Sequence, residues 1–468
     1  MSQPKLNNVS PSEPSLRVLR ALESTGLETW YVGGWVRDAL MSRPSHDVDM
    51  CCAGSWQQNK VALEAAGIRV IESGIKFGGI TAVCEGERVE VTTYRVDGFY
   101  SDGRHPESVS QAVSLEDDLA RRDFTVNAMA WHPERGLVDR YKGQDDLHNR
   151  IIRAVGEPRR RFTEDALRML RAVRFACRLD FTIEPETARA LASCAPLLDA
   201  VARERVGCEL EGILATGRGG DAMIRYPELM CEAVPELKAC RGFDQHSVYH
   251  AFNVYDHIAR VLTVAGELSL SRVDGYGPNH RPSSSLMWAA FLHDIAKPQC
   301  FTIDDRQRGH FYGHPEAGAK LARTIMQRIA VSSDVIRDAC LLIRDHDKPL
   351  KGSRQELLAQ MRAFSGEGRD TRRLMDELFD LRRADTLGKA PTCFYYVDML
   401  EDMRVRVHRM LDEGDAYSLQ TLAIHGGDLI RAGVTPGPGL GSLLNKALDA
   451  CIEGKVPNEK DALLSFIL

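Results

Sequence analysis

Two aspartates that alternate along one predicted strand are the first residues with the types and spacing for chemistry. The segment HDVDM places Asp47 and Asp49 two positions apart, with apolar Val48 and Met50 at the other positions. Side chains two apart share one face of a strand. Adjacent carboxylates repel each other, and Mg²⁺ is usually held by one or two carboxylates plus substrate phosphates. The pattern indicates a Mg²⁺ site, and a solvated aspartate pair at a strand edge is the alternative.

A glycine pair precedes the aspartates by one short helix. Gly33 and Gly34 stand between the apolar run WYV and the helical pattern WVRDAL, which contains Arg37. Glycine permits a tight turn and close approach of the backbone. The exposed N–H groups at the start of a helix attract anions. An anion site beside a cation site is what a nucleoside triphosphate requires.

Two further segments carry polar groups at regular spacing. Glu90 alternates with valines in VEVTTY, which places it either beside the aspartates as a third carboxylate or exposed on its strand. The segment RRDFTVNA combines Arg122, Asp123 and Asn127 with apolar spacers. Guanidinium, carboxylate and amide groups of this kind suit the ribose and phosphates of a nucleotide.

The segment RFTEDALRMLRAVRFA predicts one amphipathic helix. Thr163 is placed to cap its N-terminus, and Glu164 and Asp165 follow in the first turn, where acidic residues are favourable. Asp165 and Arg168 are three residues apart and therefore predicted to share a helix face. An acceptor beside a donor fork can read the edge of a base. The alternative is an intrahelical ion pair.

Composition limits the class of protein. The chain has 468 residues, which predicts two to four domains, and 44% of them are hydrophobic. No apolar run reaches membrane-spanning length, the first residues are polar and unlike a signal peptide, and the twelve cysteines form no C-x-x-C pair. These features predict reduced thiols and a cytoplasmic protein without membrane partners.

Charge is distributed unevenly along the chain. The net charge is −6, but residues 150–178 contain nine arginines against three acidic residues. Such a local excess attracts phosphates, and a solvated helix face is the alternative. Residues 27 to about 140 mix β-prone runs with helices, and the pattern is almost wholly helical from Arg150 onward. The fold class predicted is α+β, with a small N-terminal α/β head before a long all-α remainder.

These motifs together resemble the class II tRNA nucleotidyltransferases, the CCA-adding enzyme group of the DNA polymerase β superfamily. The resemblance covers roughly residues 27–215 and includes, in the family's order, GGWVRD, DVD, VEVTTYRVD, RRDFTVNA, YKGQDDL, EDALRMLRAVRFA and ERVGCEL. A single motif of this kind is weak, whereas seven in order are specific. The resemblance implies a nucleotidyltransferase head followed by a helical neck, body and tail that bind tRNA.

The resemblance also implies roles for individual residues. Asp47 and Asp49 would hold Mg²⁺ and, with Glu90, form the catalytic set. The residues implied to bind the nucleotide are Gly33, Gly34, Arg37, Arg122, Asp123, Asn127, Glu164, Asp165, Arg168 and Arg171. Within that set, Glu164, Asp165 and Arg168 would pair with incoming CTP or ATP as a template made of protein. The implied reaction is two-metal nucleotidyl transfer to the tRNA 3′-hydroxyl.

The middle of the chain resembles a second family, the HD phosphohydrolase domains. The motifs VYDHIARV, FLHDIAK and RRADTL supply the implied metal ligands His257, His293, Asp294 and Asp385. His314 and His346 match the additional ligands of two-metal members. The metal is divalent, and Mn²⁺, Fe, Ni²⁺ and Mg²⁺ all suit this ligand set. A relic HD fold without chemistry is the alternative, and His246 and His250 are interpreted as structural.

The resemblance leaves the product of the reaction open among CCA, CC alone, A alone and poly(A). CC-only members lack a flexible loop after the TTYR strand, whereas residues 95–112 here have full length, with Gly98, Gly103 and Pro106 as loop signals. The segment GIKFGGITAV and the neutral-to-acidic end of the chain disfavour a poly(A) polymerase. We therefore expect CCA addition from CTP and ATP, with A-only addition second and poly(A) addition third. A phosphohydrolase acting on RNA ends and a non-catalytic tRNA-binding protein are the alternatives from other classes.

The expected domains follow from these motifs. They are a polar N-terminal extension, a catalytic head, a helical neck with template and body, an HD domain, and a helical tail that binds tRNA; their ranges are 1–26, 27–150, 151–245, 246–390 and 391–468. The sequence carries no signal for the oligomeric state.

Overall fold

The computed structural model describes residues 10–45, 47–73, 75, 78–97, 109–111, 114–271 and 282–468. They form two compact units. The first extends to Leu210 and includes Tyr226–Ala233, and the second comprises Glu211–Arg225 and the chain from Val234 onward. The predicted α+β class, a small head with a sheet and then a long helical remainder, is confirmed.

The first unit contains the mixed α and β structure. Its helices are α1 Glu13–Glu23, α2 Gly34–Leu40, α3 Trp56–Ala65, α4 Leu115–Ala120, α5 Gly143–His148, α6 Pro158–Glu164, α7 Leu167–Leu179, α8 Pro185–Cys194, most of α9 Arg203–Leu214, and α11 Pro227–Ala233. Its strands are β1 Thr29–Val32, β2 Val48–Cys52, β3 Arg69–Ile71, β4 Gly79–Cys84, β5 Glu87–Thr93, β6 Arg95–Asp97, β7 Val109–Gln111, β8 Met129–His132, β9 Gly136–Asp139, β10 Ile151–Ile152 and β11 Thr182–Ile183. Short 3₁₀ turns cover Thr125–Asn127 and Ala195–Ala200.

Seven strands form one mixed sheet in the order β3-β4-β5-β2-β1-β8-β9. Its neighbouring strands are antiparallel except for β2 and β5, which are parallel. A parallel pair needs a crossover connection, and α3, β3 and β4 provide it between β2 and β5. The alternating valines of β5 and the apolar residues of β2 lie in the core, so the polar residues between them occupy the other positions of the two strands.

The polar N-terminal extension expected from the sequence contains a helix of the head. Ser12 caps α1 by accepting the N–H of Ser15, and Pro14 lies in the first turn, where its missing N–H costs nothing. Leu19 and Leu22, on the apolar face of α1, are buried in the same cluster as the strands. The apolar residues of this face recur every three or four positions with polar residues between them, so the composition of the segment alone does not reveal the helix.

The expected single helix over RFTEDALRMLRAVRFA is wrong, because the chain breaks at Asp165. Asp165 has extended backbone angles (φ −146°, ψ 105°) between α6 and α7. Its Oδ1 accepts the N–H of Leu167 at 3.0 Å, so the carboxylate caps the second helix. Thr163 is not a cap, since its hydroxyl donates to the carbonyl of Arg159 within α6.

The second unit is helical apart from one small hairpin. Its helices are α10 Gly219–Arg225, α12 Val254–Ser271, α13 Ser284–Leu292, α14 His314–Arg328, α15 Ser333–Asp345, α16 Arg354–Phe364, α17 Thr371–Gly388, α18 Tyr396–Asp412, α19 Gly426–Arg431, α20 Gly439–Ile452 and α21 Lys460–Ile467. The hairpin joins β12 Thr302–Ile303 to β13 Gly309–His310, and 3₁₀ turns cover Pro235–Ala239, Lys297–Cys300 and Pro391–Cys393.

One buried helix organises this unit. Helix α13 is apolar on every side and fully covered, and it packs against α12, α15 and α17. A helix that is hydrophobic all round must lie inside a protein. His293 and Asp294 directly follow the C-terminus of this helix and therefore lie in the interior of the unit.

Part of the sequence evidence for the product of the reaction falls on residues that the structure does not describe. Most of the loop on which the product assignment depends, residues 98–108 and 112, lies outside the described residues, as do three residues of GIKFGGITAV.

Each of the twelve cysteines is a free thiol. In the described part of the chain, no helix has the length and apolar character needed to cross a membrane.

Candidate active site and metal centre

The carboxylates of the head lie side by side on the parallel strands β2 and β5 of the seven-stranded sheet. In the β2–β5 register Asp49 is the partner of Glu90, and Asp47 directly precedes β2. The pKa of Asp49 is raised to about 6, mainly by burial and then by the charges of Glu90 and Asp47, against the opposing effects of Arg122 and Arg37. A divalent cation would stabilise the charged form of Asp49, and neighbouring carboxylates of this kind are suitable ligands for it.

Gly33 brings the backbone close to this carboxylate group. It has φ 66° and precedes α2, which begins at Gly34. A Cβ atom at Gly33 would lie 2.9 Å from Nη1 of Arg122 and 3.8 Å from Oδ2 of Asp49. Both the positive φ and this close approach require glycine. Arg122 is held in turn by Asp118, whose Oδ2 accepts from Nη2 at 2.9 Å.

Asp123 joins the polar segment of the head to helix α7. Its Oδ2 accepts from Nε and Nη2 of Arg171 at 2.9 and 2.6 Å, and its Oδ1 accepts from the amide of Asn127 at 3.2 Å. Burial opposes ionisation of Asp123, but Arg171 outweighs it and the pKa of Asp123 lies below its usual value. Two of the residues implied to bind nucleotide therefore bind each other directly.

Arg37 extends the same network. Its Nη1 donates to Oδ1 of Asn127 at 2.7 Å and its Nε donates to Asp38 at 2.8 Å. The guanidinium is buried and lies 5.4 Å from the ring centre of Phe175 on α7. Arg37, Asn127, Asp123 and Arg171 thus form one hydrogen-bonded series from α2 to α7.

The side chains of Asp165 and Arg168, the pair expected to read the base, bond to different partners, although the backbone N–H of Arg168 donates to the carbonyl of Asp165 at 3.0 Å. Arg168 donates to Oε2 of Glu164 at 2.7 Å and to the carbonyls of Arg161 and Arg121. Oδ2 of Asp165 accepts from Arg205 at 3.1 Å. The intrahelical Asp165–Arg168 ion pair is therefore absent, and the two side chains are oriented by separate partners.

Two orienting residues in the head lay outside the set implied by the sequence. Arg205 lies in the motif ERVGCEL and Asp118 lies four residues before Arg122. Both are charged residues that lie inside or next to a motif of the family, and this position is the feature of the sequence that could have identified them. Their partners were not deducible, because the Asp165–Arg205 contact spans forty residues of sequence.

The second unit gathers the residues of the HD motifs in one buried cluster. The ligand atoms of His257, His293 and Asp385 lie within 4.8 Å of one another, and so do those of His293, Asp294 and His346. Nε2 of His314 is 3.3 Å from Oδ1 of Asp294. The cluster borders a cavity of about 300 Å³. All six predicted HD residues are therefore brought together.

Hydrogen bonds at the far ring nitrogens set the chemistry of this cluster. Nδ1 of each of the four histidines lies against a backbone carbonyl: His257 against Gly388, His293 against Ala290, His314 against Phe311 and His346 against Ile343, at 3.1, 3.0, 2.8 and 2.7 Å. Carbonyls only accept, so Nδ1 donates in each contact and Nε2 is the nitrogen that faces the centre, where Nε2 of His257 lies 3.1 Å from Oδ1 of Asp385. Backbone carbonyls orient metal-binding histidines in the same manner.

Three polar atoms at the centre of the cluster lack a regular hydrogen bond among the described residues. Both carboxylate oxygens of Asp294 and Nε2 of His314 are buried without a hydrogen bond of normal geometry, although Nζ of Lys297 approaches Oδ2 of Asp294 to 2.7 Å. Burial opposes ionisation of Asp294, but His293 and Lys297 hold its pKa well below the usual range. Converging ring nitrogens and a charged carboxylate fit one or two divalent metal ions.

Three residues at this cavity were not predicted as site residues. Lys297 and Lys389 lie there, with Nζ of Lys389 2.6 Å from Oδ2 of Asp385. His250, which is interpreted as structural from the sequence, also lines the cavity, and burial lowers its pKa to about 3. The lysines follow Asp294 and Asp385 by three and four residues, about one helical turn, and this spacing is the signal in the sequence.

Four family profiles match successive parts of the chain. They are described as the Poly A polymerase head domain at residues 29–153, the probable RNA and SrmB-binding site of polymerase A at 180–239, the HD domain at 254–389, and the putative tRNA nucleotidyltransferase domain 2 at 404–467. The first contains the carboxylates of the head and the third contains the histidine cluster.

Relatives of the whole chain are CCA-adding enzymes. Those of Streptococcus gordonii and Streptococcus sanguinis are 30% and 31% identical to it, over 98% of this chain and 98% of their own lengths. The enzyme of Pediococcus pentosaceus is 42% identical over 43% of this chain and 50% of its own length.

Solved structures agree with the sequence relatives. The Bacillus stearothermophilus CCA-adding enzyme in complex with CTP matches with a TM-score of 0.65 and 25% identity, over 97% of this chain and 96% of that one. The Thermotoga maritima CCA-adding enzyme complexed with tRNA has the same fold, with a TM-score of 0.60 and 19% identity over 98% and 96%. Full-length identity to curated members and the shared architecture establish that this chain belongs to the CCA-adding enzymes and is a nucleotidyltransferase.

Proposed function

We propose that this protein adds CMP, CMP and AMP from CTP and ATP to the 3′ end of tRNA without a nucleic-acid template, in the cytoplasm. The observation that carries the proposal is the pairing of Asp49 with Glu90 beside the Gly33 turn. Its catalytic groups are Asp47, Asp49 and Glu90, of which Asp47 and Asp49 hold Mg²⁺. The whole-length relationship to CCA-adding enzymes supports the same reaction.

The residues of the head bind and orient the reactants. Asp47 and Asp49 supply acceptor oxygens for Mg²⁺, and Glu90 adds negative charge beside them. When bound, the cations activate the attacking hydroxyl and neutralise the charge of the leaving pyrophosphate. The backbone at Gly33 and Gly34 and the guanidinium of Arg122 bind phosphate oxygens, while Asp123 and Asn127 contact the ribose.

Selection of the base is assigned to the segment between α6 and α7. Arg168 supplies donors and Asp165 an acceptor, and each is oriented by its own partners, Glu164 and Arg205. Arg171 holds Asp123 and so joins this segment to the ribose contacts. A site built to hydrogen-bond its substrate rejects others because its own polar groups would remain unpaired.

The product distinguishes CCA addition from A-only addition and from poly(A) addition. The purified protein is incubated with tRNA ending at the discriminator base or in CC, and each labelled nucleoside triphosphate is supplied separately. We expect CMP on the first tRNA and one AMP on the second. AMP on the second tRNA with no CMP on the first would indicate the A-only enzyme, and a long A tail would indicate the poly(A) polymerase.

Removal of one carboxylate charge tests the cation site. Asp49→Asn keeps the shape of the side chain and should lower nucleotide addition at least about 10³-fold, because a metal-binding group contributes several kcal/mol at the transition state and about 1.4 kcal/mol corresponds to a factor of ten. Binding of tRNA, measured by filter retention, should change less than about twofold. The matched control Asp145→Asn alters an exposed aspartate of the same unit and should keep full activity. Addition by Asp49→Asn at near the normal rate would exclude this cation site.

Removal of the donor fork tests base selection. Arg168→Ala should lower CMP and AMP incorporation and raise UMP or GMP relative to CMP, since the fork that rejects them is lost. Each nucleoside triphosphate is measured separately on tRNA ending at the discriminator base. The control Arg160→Ala removes a mainly exposed arginine that binds the same Glu164. Unchanged nucleotide ratios in Arg168→Ala would mean that Arg168 only supports the fold.

A second activity is proposed for the HD cluster, a metal-dependent phosphohydrolase acting on RNA ends. The specific observation is the set of four Nε2 atoms and two carboxylates beside Lys297 and Lys389. The bound metal would activate water and polarise a phosphate. The two lysines supply positive charge for phosphate oxygens at the same cavity.

Loss of one imidazole separates the HD site from the head. His293→Ala should abolish binding of the metal to the HD cluster, measured by elemental analysis, while nucleotide addition stays within about twofold because these ligands belong to another unit. His408→Ala, a histidine outside the cluster, should retain the metal. Purified protein without transition metal that also fails to hydrolyse 2′,3′-cyclic phosphates with any added divalent ion would contradict the second activity.

A further inference from the structure

A cationic cavity lies between α14 and α15, apart from both sites described above. Its volume is about 280 Å³. Positive side chains dominate its lining, and one acid accompanies them; these residues are Lys320, Arg323, Arg337, Arg344, Arg369 and Glu316. Lys320 and Arg323 are three apart on α14 and therefore share a face. Arg337 and Arg344 are two turns apart on α15 and also share one.

Part of this positive charge has no acidic partner. Arg337 is paired with Asp334 and Asp338, and Arg344 with Asp345. The side chains of Lys320 and Arg323 make no ion pair or hydrogen bond with the residues that the structure describes.

Arg369, from the segment before α17, donates to the carbonyl of Ser365, which is uncharged. Three uncompensated cations thus surround one space with a single acid, Glu316. Like charges held close together repel each other, and a bound anion would remove that cost.

The floor of the cavity is apolar. It includes Cys340 and Leu341, and Cys340 is 5% exposed with its thiol 3.3 Å from the carbonyl of Ala319. Burial raises the pKa of Cys340, so the thiol stays neutral and adds no charge. The charged groups therefore lie around the rim of the cavity, where Lys320 and Arg323 are exposed and accessible to an anion. The volume lies near the small end of the range of ligand sites.

We propose that this cavity binds a compact oligophosphate, such as pyrophosphate or the phosphate group of a nucleoside di- or triphosphate. Guanidinium groups bind phosphate oxygens in pairs and lysine adds a point charge. A concave site of this size surrounds a compact anion on several sides. Proteins that bind a nucleic-acid backbone instead present an extended row of positive charges along it. The proposal depends on neither the head nor the HD cluster.

The test uses inorganic tripolyphosphate and the full-length protein by calorimetric titration. EDTA is present, so that metal-dependent binding at the head does not contribute. We expect the native protein to bind and Lys320→Ala/Arg323→Ala to lower the affinity at least tenfold. The matched control Arg406→Ala/Arg409→Ala removes two exposed arginines at the same spacing on α18 and should leave the affinity unchanged. Arg369→Gln, outside both helices, should weaken binding at least threefold even if the helical variant is unstable.

Binding of tRNA to the same variants distinguishes the source of the phosphate. The proposal expects tRNA affinity and its salt dependence to be unchanged in Lys320→Ala/Arg323→Ala. Reduced tRNA affinity with a smaller salt slope, without binding of tripolyphosphate, would identify an RNA contact and overturn the proposal. Absence of tripolyphosphate binding to the native protein, or equal affinity in native protein and both variants, would overturn it as well.

Discussion

Repulsion between carboxylates held side by side is the constraint on which the head depends. The parallel register of β2 and β5 places Asp49 beside Glu90, and the packing of apolar residues between them prevents the strands from shifting apart. Burial makes the charged form of Asp49 costly and leaves its pKa near 6. The fold therefore holds a carboxylate whose charged form a divalent cation would stabilise. The close approach at Gly33 and the guanidinium of Arg122 complete its surroundings.

One buried carboxylate connects this site to the segment assigned to the base. Asp123 accepts from Arg171 on α7 and from Asn127, which accepts from Arg37 on α2. The ring of Phe175 lies within 4.7–5.5 Å of three guanidinium groups, those of Arg37, Arg171 and Arg174. Polar bonds and cation–π contacts thus hold α2, the RRDFTVNA segment and α7 in one arrangement. A change at any of them should reach the others.

The side chains of the HD cluster are oriented by backbone carbonyls rather than by the register of two strands. Four imidazoles are oriented by carbonyls at Nδ1, so their Nε2 atoms face the centre of the cluster. The carboxylate of Asp294 stays ionised because His293 and Lys297 surround it. In the head, burial and the neighbouring acidic groups raise the pKa of Asp49, whereas in the HD cluster basic neighbours lower the pKa of Asp294. The two centres therefore differ in how protons compete with the metal.

Much of the fold and the composition of both sites follow from local pattern in the sequence. Helix α2, strand β5 and the alternation around Asp49 appear where their periodicity predicts them, since period and turn residues act within a few positions. The resemblance to HD domains implies the six HD residues, and the structure brings them together.

Contacts between distant segments were decided by tertiary structure. The break at Asp165 is one example, because Arg205, forty residues away, binds the carboxylate whose other oxygen caps α7. Helix α1 is another example, since its apolar face is recognisable as part of the core only from its packing against the sheet. The cationic cavity also depends on two helices packing side by side. A linear sequence specifies which groups are available, but their partners depend on packing that no local pattern encodes.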